Sequence, residues 1–94
     1  MAEMATAVAW FTAESWPRLL AVADDRENLH DTFDEFERTA GARVEAYRRQ
    51  GISIEKVLLD VDELAAWCRA ERRPLDAMAR AEFAAMALAR RDMR

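Results

Sequence analysis

The chain has 94 residues, 52% hydrophobic and 34% charged, with a net charge of −4. That length suits one domain, residues 1–94, near the small end of what folds on a single core. The periodic apolar residues argue against disorder, no stretch reaches the ~20 apolar residues of a membrane span, and a single cysteine, Cys68, rules out an internal disulfide.

Thirteen Arg against one Lys, with twenty Ala, point to a GC-rich bacterial genome. No Lys or Arg precedes Arg18, so the basic n-region of a secretory signal is missing. Together with the lone thiol, this predicts a protein of the bacterial cytoplasm.

Residues 5–12, "ATAVAWFT", are short, apolar and β-permissive, and predict a strand over about 6–11. Ser15 then suits an N-cap, with Pro17 in the first turn, and Leu19, Leu20, Val22 and Ala23 complete a short helix ending near Asp24. From there a long helix is expected, about 25–50. The three-residue spacing of Asp24 and Glu27 has the form of a capping box. Leu29, Phe33, Phe36, Ala40, Val44 and Tyr47 follow at spacings of 3 or 4, Arg48 and Arg49 suit the last turn, and Gly51 supplies the stop. Such a helix would run ~39 Å at 1.5 Å per residue, against a diameter of roughly 30 Å for a compact chain of this size. Either it breaks near Gly41, or its overhang packs on a second copy through Phe36, Ala40, Val44 and Tyr47. The unbroken stripe favours the second copy, a two-fold homodimer.

Ile52, Ile54, Val57, Leu58 and Leu59 make a β-rich run between Gly51 and Asp60, read as a strand over 54–59. Its partner is either the strand at 6–11 or the same strand of another subunit. In "LLDVDELAAW" (58–67), three carboxylates crowd into four positions. With Asp60 as N-cap and Glu63 as N3 they form a second capping box, with Leu59 and Leu64 at the staple positions and Asp62 at the positive end of the helix dipole. A helix from 61 to about 72 buries Val61, Leu64, Ala65 and Cys68, with Trp67 flanking. Asp76 caps a last helix whose apolar side is Met78, Ala79, Phe83, Met86 and Ala87. The expected fold is therefore helix-dominated α+β: four helices, one of them long, and two short strands.

Charge is uneven. Residues 24–37 carry a net −6 and residues 69–94 a net +3, which predicts that oppositely charged helices pack near each other. An Arg-lined anion site is the competing explanation.

Few residues suggest chemistry. Glu27 and His30, extended by Asp34 and Glu37, form a stripe that a symmetric dimer could turn into a metal site, but it also describes a solvated face. The pairs Asp31/Asp34 and Asp60/Glu63 are similar in outline to the acidic motifs of all-helical, magnesium-dependent nucleotide pyrophosphohydrolases, which would imply a metal-dependent enzyme. Those families favour Glu at most such positions. Cys68 lies on an apolar helix face and is expected to be buried and inert. Trp10, Trp16 and Trp67 are expected in the core, an exposed one marking a partner surface. The order strand 54–59, helix, helix resembles a ribbon–helix–helix DNA-binding module. The side chains that such a ribbon would offer include Glu55 and apolar residues, and three carboxylates follow, which disfavours nucleic acid. No catalytic residue, metal or cofactor is assigned. The leading expectation is a non-enzymatic interaction or regulatory protein acting as a homodimer, with a DNA-binding regulator and a metal-dependent enzyme as alternatives.

Overall fold

A computed structural model describes residues 5–93. In chain order it contains β1 (Thr6–Trp10), α1 (Trp16–Val22), a 3-10 turn (Arg26–Asn28), α2 (Phe33–Arg49), β2 (Ile54–Leu58), α3 (Val61–Ala70) and α4 (Ala77–Asp92). The fold is helix-dominated α+β with four helices and a two-stranded sheet, as expected.

The sheet is parallel, with Thr6 opposite Ile54 and Trp10 opposite Leu58, so the partner of 54–59 is the first strand of the same chain. Parallel neighbours need a long crossover, and α1 and α2 supply it. Both faces are then covered. Ala5, Ala7, Ala9, Phe11, Val57 and Leu59 join the core formed with α3 and α4, which includes Leu64, Cys68, Ala79, Ala84 and Leu88. On the other face Val8, Trp10 and Ile54 pack with Phe36, Ala40 and Val44 of α2. The alanines of β1 and α4 are small enough for α4 to lie along β1, which it covers more fully than β2.

Two expectations are corrected. The long helix begins at Phe33, not near 25, and passes through Gly41 unbroken. Its 17 residues span ~25 Å, less than the roughly 30 Å diameter of a compact chain of this size, so the length from which an overhang was expected is not there. The capping residue is Thr32, whose Oγ1 accepts from Glu35 N–H at 3.1 Å and donates to Glu35 Oε1 at 3.0 Å. Its C-terminus ends as predicted: Gly51 at φ 83° lets its own N–H reach Arg48 O and the Ile52 N–H reach Tyr47 O, both at 3.0 Å.

The second correction concerns α4. Its buried side is Ala79, Arg80, Ala84 and Leu88, and Met78 is 75% exposed. The apolar face is rotated by about one residue because Arg80, a charged residue, belongs to it. Arg80 donates two hydrogen bonds to Asp25, Nη1 to Oδ1 at 2.8 Å and Nη2 to Oδ2 at 2.7 Å, and both residues are buried. This bidentate pair is where the acidic and basic segments meet. Donation from the Arg80 guanidinium holds the Asp25 carboxyl below its usual value of 3.8.

Candidate functional site

Asp60 behaves as a cap: its Oδ1 accepts from Glu63 N–H at 3.0 Å, and Leu59 and Leu64 are both buried beneath it. The other acidic candidates do not converge. Glu27 lies in the 3-10 turn, His30 in the loop after it and Asp34 in the first turn of α2, and Asp31 is paired with Arg26. No group of three or more His, Cys, Asp or Glu that could hold a metal exists among the described residues. Cys68 is buried, and loss of solvation pushes its thiol up, away from the reactive thiolate.

The tryptophans are internal or packed. Trp10 is 8% and Trp16 2% exposed. Phe36 joins them, at 4.8 Å from Trp10 and stacked at 4.5 Å on Trp16, and the Trp16 indole N–H donates to His30 O at 3.2 Å. Trp67 sits between Phe83 and the Arg73 guanidinium. Of the residues expected at a dimer interface, Phe36 and Ala40 pack against the core and Val44 is 2% exposed beside Trp10 and Ile54, leaving Tyr47 on the surface. The ribbon reading meets a similar obstacle: β2 is hydrogen-bonded to β1, and Val57 and Leu59 are buried.

Among the described residues, two cavities of similar size differ in kind. The first, of about 390 Å³, lies beyond the carboxyl ends of β1 and β2, lined by Thr12, Ser15, Arg18, Asp60 and Asp62 with apolar neighbours. Ligands commonly bind at this end of parallel strands. Here the polar groups already serve one another. Ser15 Oγ accepts from Thr12 N–H and Thr12 Oγ1 from Ser15 N–H, both at 3.0 Å; Asp60 caps α3; and Arg18 pairs with Asp62 in solvent.

The second cavity, of about 410 Å³, runs along the outer edge of β1. Three consecutive strand residues, Ala7, Val8 and Ala9, form its floor. One wall is α2, through Phe36, Thr39, Ala40 and Arg43; the other is α4, through Ala77, Arg80 and Ala81; Asn28, Leu29 and His30 line it as well. Thr6 N–H donates to Ser53 O at 2.8 Å and Leu59 N–H donates to Trp10 O at 2.9 Å. In a parallel ladder the residues of one strand alternate in which side their amide groups face. Thr6, Val8 and Trp10 therefore serve β2, while the N–H and C=O of Ala7 and Ala9 point into the cavity. Among the described residues these four groups have no hydrogen-bond partner.

The outer edge of β2 is protected differently. Ile54 O accepts from Arg48 Nη2 at 3.3 Å, and Lys56 stands on that strand with its ammonium 4.3 Å from the Trp10 ring. A lysine and a capped carbonyl are the usual ways to blunt an edge. β1, with only Ala, Val and Ala at its centre, has neither. Sequence patterning could not find this site, because it depends on which strand edge is left free.

Comparison with known proteins found no matching family model, no matching curated protein and no matching solved structure.

Proposed function

We propose a non-enzymatic interaction protein of the bacterial cytoplasm, in which the open edge of β1 receives an extended segment of a partner protein. The observation that carries this is the set of four main-chain groups on Ala7 and Ala9 that have no partner among the described residues, in a groove walled by α2 and α4. Main-chain hydrogen bonds from an added strand would satisfy them and supply affinity without chemistry. The lone buried thiol and the Arg-rich, Ala-rich composition support the cellular setting. The engagement of Asp25, Asp60, Asp62 and Arg80 with structural partners favours binding over catalysis. The expected homodimer has lost its helical overhang, and measured mass in solution decides it independently.

The test uses Ala9→Pro, which removes one outward N–H and leaves the β1–β2 ladder intact, since proline is tolerated where a strand's N–H faces outward. A displayed library of random decapeptides is selected on the wild-type protein, and the enriched peptides are measured against both forms. Loss of binding to an Ala9→Pro protein of wild-type melting temperature supports strand addition. Equal binding to both forms overturns it.

A further inference from the structure

The chain carries 18 Asp and Glu against 14 Lys and Arg, yet among the described residues no acid lines the β1 groove. Its charged or titratable side chains are Arg43, Arg80 and His30. Arg80 is engaged by Asp25. Arg43 is exposed and has no ion-pair partner among the described residues. It adjoins Val44, which packs with Ile54, the register partner of Thr6. Arg43 therefore stands at the end of the groove beside the start of β1.

Resting on the strand-addition reading, we infer that the groove selects an extended segment of small apolar residues bearing an acidic side chain at the end that meets Arg43, and that this segment belongs to a different protein rather than a second copy. The size limit comes from the walls. Side chains of an added strand alternate between the α2 side and the α4 side, and both walls narrow the space around Ala7 and Ala9. The acid follows from a cation that, among the described residues, has no ion-pair partner and shares its groove with no carboxylate.

A second copy fails on spacing. Pairing β1 with β1 of another molecule about a two-fold axis sets the strands ~4.8 Å apart. Because α4 lies along β1, the two α4 helices would be carried to nearly the same separation, whereas packed helices need 8–10 Å. A lone peptide strand brings no helix with it.

The probes are three fluorescein-labelled peptides with the core Ala-Val-Ala-Val-Ala, flanked on both sides by Glu, Gln or Lys. Their binding is measured by anisotropy on wild-type, Arg43→Gln and Ala9→Pro proteins. The Glu-flanked peptide should bind about fivefold tighter than the Lys-flanked one, an advantage lost in Arg43→Gln. Equal binding of all three peptides, with loss in Ala9→Pro, would overturn the acidic preference and leave strand addition standing. Binding indifferent to Ala9→Pro would overturn strand addition itself. No binding of the Glu-flanked peptide at millimolar concentration would refute the inference, as would a wild-type dimer mass that Ala9→Pro converts to a monomer mass.

Discussion

Asp24 to Glu27 and Asp60 to Glu63 carry the same local signature, an Asp followed three residues later by a Glu ahead of apolar residues, and the chain uses them in opposite ways. At Asp60 the signature is obeyed: the carboxylate accepts from Glu63 N–H and α3 starts one residue on. At Asp24 no α-helix starts. Its carboxylate accepts from Leu75 N–H at 2.8 Å, and its own N–H donates to Leu75 O at 2.9 Å. Asp25 is taken by Arg80, 55 residues away. Local capping contributes ~1 kcal/mol and is replaceable by water at an exposed end. A buried carboxylate and guanidinium have no such substitute and must find each other. Where the two demands compete, the long-range pair decides the backbone.

The largest test of that ranking is the pair itself. Asp25→Ala should leave Arg80 buried without its partner and destabilise the protein by about 3 kcal/mol, measured by urea denaturation. Asp25→Leu combined with Arg80→Met should recover most of that loss, because neither charge is then stranded. If Asp25→Ala costs no more than Asp60→Ala, the two acidic segments are equivalent after all and the ranking fails.

The same pair sets a pH dependence. The folded Asp25 carboxyl lies below its usual 3.8, so its contribution is complete above that value and is lost as pH falls through the lowered folded value. Urea midpoints of the wild type and of the Asp25→Leu/Arg80→Met double variant should therefore run parallel above about pH 5. Below pH 3.8 the wild type should fall more steeply. Parallel curves down to pH 2 would remove Asp25 from the acid response.

Smaller, and on the other side of the comparison, Asp60→Ala should cost ~1 kcal/mol by removing the α3 cap, and Asp60→Ser should restore most of it. Circular dichroism melting measures both. A loss as large as that of Asp25→Ala would mean Asp60 does more than cap.

These contrasts show what was legible in the sequence. The start of α3 was, because its determinants Leu59, Asp60, Glu63 and Leu64 lie within six positions. The stop at Gly51 was, for the same reason. The start of α2 differs from the expected one, although Thr32 and Glu35 carry an equally good capping box. Leu29 continued the apolar stripe backwards and made an earlier start look natural. The phase of α4 departs from its apolar pattern because Arg80 is a charged residue that only its partner across the fold makes internal. The groove had no local signal. Ala7 and Ala9 read as small strand residues, and their significance appears once β2 is seen to occupy one edge of β1 while, among the described residues, no strand pairs with the other.

The smallest expected effect is the sharpest on the two signatures. A full capping box is reciprocal, the N3 side chain returning a hydrogen bond to the N-cap N–H. At Thr32 the two side chains do bond, through Oγ1 and Oε1. At Asp60 only the forward half is present, with Glu63 contributing its backbone N–H. At Asp24 neither half is present, and Glu27 is exposed. Glu27→Ala and Glu63→Ala should therefore both fall within about 0.5 kcal/mol of wild type, as exposed residues without a structural partner do. Any residual loss should be larger at Glu63, which stands in the first turn of α3, where the helix dipole favours an anion. A denaturation series run on the two variants side by side measures the difference. If Glu27→Ala were the more damaging, a helix start near Asp24 would have to be reinstated, and with it the long helix and its overhang.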